Sequence, residues 1–218
     1  MLQRLTSRFL LPLLALALLT PLSASAGSYE DYFDAVKLDA PYQFQKVMRR
    51  GLGPNLIEPE HGYTPLLLAI RMGSPKIIQL LLETPGVDLE AKAVNGDTAI
   101  MLAAFYGDLP LVKTLLERDV QVNRPGWTAL HYAAINGSSS IVKLLLDASA
   151  YIDAESAEGQ MTPIMLAAMR GRTSVVRLLK EEGADLSLKN ADGMTALDLA
   201  RHYERTDIVD LLSQPEKP

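Results

Sequence analysis

The residues of this chain that could do chemistry are few and scattered. The three histidines, His61, His131 and His202, fall in different stretches and none is at helical spacing from another, whereas a metal site needs clustered ligands. There is no cysteine, which excludes thiolate ligands, a thiol nucleophile, a disulfide framework and a lipid anchor on cysteine. Ser138-Ser139-Ser140 lack the Gly-x-Ser-x-Gly setting of a nucleophile elbow and read as a turn. Met161, Met165 and Met169 recur every four residues. That spacing could present thioethers to a soft metal such as Cu(I), but gap-filling in a packed helix explains it better. Asn136-Gly137-Ser138 fits a glycosylation sequon and reads more simply as a helix-ending turn. No phosphate-binding glycine loop occurs. The sequence therefore predicts no catalytic residue, no metal site and no cofactor, and the chain is not read as an enzyme.

Charge narrows the partners. The 218 residues carry 21 Lys plus Arg against 26 Asp plus Glu, a net charge of −5 with no long basic run. A chain that must neutralise phosphates is built the other way, so nucleic acid is not an expected partner.

The first 26 residues have the three parts of a secretory signal. Arg4 and Arg8 precede an apolar run from Phe9 to Leu19, and Ala24-Ser25-Ala26 is a small-residue cleavage site. The run is about half of what a spanning helix needs, and Pro12 interrupts it. The mature chain is expected to start near Gly27, with no membrane span.

The elements that position everything else are repeats. A Thr followed by small and apolar residues recurs at Thr64, Thr98, Thr128, Thr162 and Thr195, with spacings of 34, 30, 34 and 33. Each Thr stands where a helix N-cap belongs, and Pro65 and Pro163 occupy the first helical position, where a missing N–H costs nothing. Alanine pairs such as Ala103-Ala104 and Ala133-Ala134 let helices approach closely. Gly73, Gly107, Gly137 and Gly171 end the first helices as left-handed residues. A second helix follows in each unit, such as Ser139 to Asp147, with more apolar residues than one helix pair can bury. Neighbouring units must therefore stack.

This pattern resembles the ankyrin repeat, with its period near 33 and its T-P-L-H-x-A signature, over roughly Tyr29 to Leu212. The resemblance implies an all-α solenoid of stacked helix-turn-helix units with short β-hairpin fingers. The expected organisation is a signal at 1–26, a degenerate N-terminal capping repeat at 27–60, four repeats at 61–194, a C-terminal capping repeat at 195–212 and a disordered tail at 213–218. Helices are expected at Asp31 to Lys37 and Tyr42 to Arg50, and the last unit is expected to turn Asp198, Arg201, Glu204, Asp207 and Asp210 outward. The finger at Val122 to Trp127 is about three residues short and should be blunted; the next, Glu155 to Met161, should be extended. His131 fills the motif histidine, whose family role is to bond the backbone of the neighbouring finger.

In the family the concave face, made of finger tips and first helices, carries most partner contacts. The two positions before each helix-ending glycine and the residue before each capping Thr (Tyr63, Asp97, Trp127, Met161 and Met194) form this row, and the candidate partner-binding residues drawn from it are Tyr63, Arg71, Met72, Phe105, Tyr106, Trp127, Ile135, Asn136, Met169 and Arg170. Apolar and aromatic side chains in such a row point to an interface. The resemblance to exported ankyrin proteins of Gram-negative bacteria implies a monomeric periplasmic scaffold for a protein partner, with a possible part in peroxide protection; a secreted effector or inhibitor of a host or competitor protein is the alternative.

Overall fold

A computed structural model describes residues 22–214. The expected signal falls largely outside the described residues, as does all but the start of the expected tail. Twelve helices in six antiparallel pairs make up the described chain: α1 (Leu22–Lys37) with α2 (Pro41–Met48), α3 (Pro65–Met72) with α4 (Pro75–Glu83), α5 (Ala99–Tyr106) with α6 (Leu109–Leu116), α7 (Ala129–Asn136) with α8 (Ser139–Asp147), α9 (Pro163–Met169) with α10 (Thr173–Glu181), and α11 (Ala196–His202) with α12 (Thr206–Ser213). Odd-numbered helices pack on one another as an inner row, and outer helices on their own partners and neighbours. Among the described residues no helix is long and apolar enough to cross a membrane. Helix α1 starts at Leu22, upstream of both the Asp31 start expected for that helix and the anticipated mature start at Gly27.

The two rows are apolar in different ways. In α3 every residue from Pro65 to Ile70 is buried, and in α5 every residue from Ala99 to Ala104, because each of these two helices has inner neighbours on both sides and its own partner behind it. The outer helices bury only a stripe: Ile77 and Leu81 in α4, or Ile141, Val142 and Leu145 in α8. That is the pattern of a helix with one face on a core.

Thr64, Thr98, Thr128, Thr162 and Thr195 all have the extended backbone of an N-cap. Their hydroxyls differ in use. Thr64 and Thr195 accept from Leu67 N and Asp198 N, whereas the hydroxyls of Thr98 and Thr162 are buried without a partner. Asp198, expected on the surface, instead turns back to accept from both Thr195 N (3.0 Å) and Thr195 Oγ1 (2.7 Å). It holds the third helical position, from which a side chain reaches the cap.

The fingers between pairs are tight turns. Glu58 N donates to Tyr63 O, Ala93 N to Asp97 O, Ser156 N to Met161 O and Asn190 N to Met194 O, each at 2.9 to 3.0 Å. Short turn bonds such as Gly96 N to Ala93 O lie inside them and Val94 N to His61 O joins one to the next, but they form no strand ladder among the described residues. The short finger at Val122 to Trp127 lacks the closing bond and is tied elsewhere: Arg124 pairs with Glu90 of the preceding finger.

Candidate functional site

The inner helices end in a row of side chains that the stack leaves open, because the chain must turn there into the outer helix. Met72 is 49% exposed, Phe105 39% and Tyr106 46%, and Arg71 and Arg170 are exposed as well. Ile135, Asn136 and Met169 are half-buried. From the fingers, Trp127 is half-buried, while the ring of Tyr63 is only 4% exposed. Tyr63 therefore presents little surface. Arg71 lies over its ring at 5.3 Å and donates from Nη1 to its hydroxyl at 3.0 Å, and His61 stacks on it.

Four aromatic side chains converge in the middle of the row. Phe105 meets Tyr106 edge-on at 5.2 Å and Tyr132 edge-on at 5.6 Å; Tyr132 also touches Trp127 at 5.5 Å. Contacts of this kind are worth about 0.5–1.5 kcal/mol each beyond area burial, enough to fix ring orientations while leaving Phe105 and Tyr106 open. The Tyr132 hydroxyl donates to Asp97 Oδ1 at 2.6 Å, and Asn95 Nδ2 donates to Asp97 Oδ2 at 2.7 Å. Burial, then the bond to the Asp97 carboxylate, pushes the Tyr132 phenol well above its ordinary value, so it stays a neutral donor.

Tyr132 is the member of the cluster that sequence reasoning missed. It holds the variable position of the motif, where the other units have Leu68, Leu102, Leu166 and Leu199. A polar-tipped aromatic in a leucine position was the available signal.

Two expected site residues have structural duties. Asn136 Nδ2 donates to Phe105 O of the preceding inner helix at 3.0 Å, which also accounts for the amide of the sequon-like triplet. Trp127 packs against His131 at 5.4 Å and braces the cluster. The link between units recurs further on: Arg172 Nε donates to Ile135 O at 2.9 Å and Arg205 Nε to Met169 O at 3.3 Å. A Cβ on Gly137 would stand 2.8 Å from Arg172 Cδ and force that arm to shift, and one on Gly171 would crowd Arg205 Nε at 3.3 Å.

The residues considered for chemistry are placed apart. His131 is fully buried in α7. Its Nδ1 accepts from Thr128 N at 3.1 Å, and its Nε2 lies 3.0 Å from Met161 O in the next finger. An acceptor Nδ1 requires the proton on Nε2, so the ring is neutral and donates to the finger. Burial lowers its pKa, and the Met161 and Ala154 carbonyls offset this only in part. In the methionine row Met165 is core and its sulfur faces Thr162 N, while the Met161 sulfur lies against Asn190. Glu58, Glu60 and His61 bring potential ligand atoms within 4.8 Å of one another, but both Glu58 oxygens already accept backbone N–H groups, from Glu60 and His61 at 2.9 Å, and close the finger.

Comparison with known proteins gives one answer over most of the chain. A family model described as ankyrin repeats (3 copies) matches residues 85–156 and 151–217, and a single-repeat ankyrin model matches 61–91. The chain is 30% identical over 138 residues to the tyrosine-protein kinase Shark of Drosophila melanogaster, covering 62% of this chain and 15% of that protein. It is 37% identical over 98 residues to ankyrin repeat and SAM domain-containing protein 6 of Rattus norvegicus, covering 42% of this chain and 11% of that one. The chain thus spans a small part of these relatives' length. The crystal structure of an ankyrin repeat domain from Acinetobacter baumannii AYE superposes with a TM-score of 0.69 at 26% identity, over 83% of this chain and 95% of that one.

Proposed function

Because the chain belongs to the ankyrin-repeat family, a family of protein–protein interaction modules, we propose that it captures a protein partner on the row of inner-helix ends centred on Phe105 and Tyr106. The observation that carries this is the half-open aromatic cluster. Phe105 and Tyr106 remain exposed although Tyr132 beside them is hydrogen-bonded to Asp97 and Trp127 is packed against Tyr132 and His131. An oriented aromatic pair with little freedom left to lose is the kind of anchor that dominates interface energies.

The test is affinity capture from native extract with the purified chain and with a Phe105→Ala/Tyr106→Ala/Trp127→Ala variant, retained proteins being identified by mass spectrometry. A partner held by wild type and lost by a variant with unchanged far-UV circular dichroism supports the reading. A partner held equally by both removes the row from the interface.

The site of action we propose is the periplasm, supported by Arg4, Arg8, the apolar run and Ala24-Ser25-Ala26. N-terminal sequencing of chain recovered from a periplasmic fraction should begin near Gly27. Recovery from culture supernatant would favour the secreted effector instead, and unchanged peroxide survival of a strain lacking the chain would remove the stress role.

A further inference from the structure

The same row changes character along its length. Toward the N-terminal side it is apolar and aromatic, with Met72, Phe105 and Tyr106, and the cation there, Arg71, is held on Tyr63; toward the C-terminal side it is basic. Arg170 and Arg172 flank Gly171, and the Arg205 arm crosses that glycine, with Cζ 3.6 Å from where a Cβ would stand. Three exposed guanidinium-bearing side chains thus line the C-terminal half of the row, Arg172 over Gly137 and Arg170 and Arg205 at Gly171, in a chain whose net charge is −5. Among the described residues none of the three has a carboxylate within ion-pair distance. Asp207, the acid of the adjoining turn, accepts from the Thr173 hydroxyl, and Glu204 beside Arg205 points to no cation.

Two of these arginines are braced. Arg172 and Arg205 each use Nε on a main-chain carbonyl of the preceding unit, which fixes the plane of the guanidinium and leaves its terminal nitrogens for an outside acceptor. A planar, immobilised fork suits a carboxylate held bidentately. At the other end of the row the buried Asp97 carboxylate behind Tyr132 disfavours a second negative charge, so the row has a built-in orientation.

We infer that the occupant of this groove is an extended acidic segment of a partner protein, with an apolar or aromatic side chain on Phe105 and Tyr106 and carboxylates on Arg172 and on the Arg170 and Arg205 pair. This rests on the groove reading above and adds the chemistry of the partner. Spacing follows from geometry. Packed helices lie about 8–10 Å apart, and Arg172 reaches over α7 while Arg205 reaches over α9, one and two helices beyond α5. An extended chain advances about 3.3 Å per residue. The carboxylates therefore fall about three and about five or six residues from the apolar anchor.

The experiment is selection of a displayed library of random peptides, about twelve residues long, on the immobilised full chain, with parallel selections on Arg170→Glu and on Phe105→Ala/Tyr106→Ala. Arg170 has no side-chain bond to the stack, so its reversal leaves the fold intact, checked by circular dichroism; Arg170→Gln serves if it does not. The expected result is enrichment of an apolar residue with acids at those two spacings. Resynthesised peptides should bind Arg170→Glu about tenfold more weakly, lose a similar factor when their acids become amides, and weaken as salt rises. Enriched peptides without acids that bind wild type and Arg170→Glu equally, yet need Phe105 and Tyr106, overturn the inference and leave the groove reading standing. No enrichment, or peptides indifferent to every substitution, overturns both.

Discussion

The inner and outer helices are of similar length and alternate along the chain, yet they answer to different constraints. An inner helix is enclosed on two sides by its equivalents in the neighbouring units and behind by its own partner. It is apolar all round, and small where backbones approach, as at Ala103-Ala104, Ala133-Ala134 and Ala167-Ala168, all fully buried. An outer helix has one buried stripe and a free face. The difference teaches where variation is tolerated: in α3 and α5 only the last two residues escape the stack, and a binding surface is assembled mainly from helix ends, one pair of residues per unit.

The comparison can be broken most violently in the middle of the inner row. Ala133→Glu puts a charge with no partner at a fully buried position between α5 and α9. It should unfold the adjoining units with its own, seen as loss of the far-UV helical signal well beyond one repeat. In the outer row Leu145→Ala removes a buried side chain and should cost about 2–5 kcal/mol while leaving a cooperative transition, measured by denaturant unfolding. If both changes cost the same, the two rows are not constrained differently.

A smaller effect is expected at His131, which joins an inner helix to the next finger. His131→Ala orphans Thr128 N–H and Met161 O and should cost about 1–3 kcal/mol. The same residue sets a pH dependence. Its folded pKa is lowered by burial, so above its ordinary value near 6.5 the ring is neutral in both states and its contribution is fully present. As pH falls below 6.5 the unfolded chain takes up the proton first, and stability is lost down to the depressed folded value. Unfolding midpoints followed from pH 7.5 to 5 should show this loss, and His131→Gln should reduce it. The smallest effect on stability is expected at the row itself. Tyr106→Ala should cost about 0.5–1.5 kcal/mol of unfolding free energy, the value of its edge contact with Phe105, while weakening partner capture; a larger loss would assign Tyr106 to the fold.

What the sequence discloses is local. Thr64, Thr98 and Thr128 followed by alanine-rich or leucine-rich runs, glycines at the helix ends and a period near 33 are all short-range signals, and they locate the helices and the stack. Contacts between units are not local. That Asn136 is held by Phe105 O, or that Arg172 and Arg205 lie over the glycines of the unit before, depends on distances across a repeat that no spacing rule reports. Tyr63 shows the same limit: its position before a capping Thr predicts a finger side chain, but its burial comes from Arg71 and His61 closing over the ring. Asp198 looked like a surface acid until the capping geometry of Thr195 claimed it.

At the inner-helix ends the arms run back to a carbonyl of the unit before, from Asn136 to Phe105, from Arg172 to Ile135 and from Arg205 to Met169, while elsewhere others run forward, from Asn55 to Gly86, from His131 to Met161 and from Lys180 to Leu211. Units are therefore sealed in both directions, and trimming from either end breaks bonds of this kind. Growth of such an array by duplication carries the same demand: an inserted unit must supply donors to its predecessor and to its successor at once.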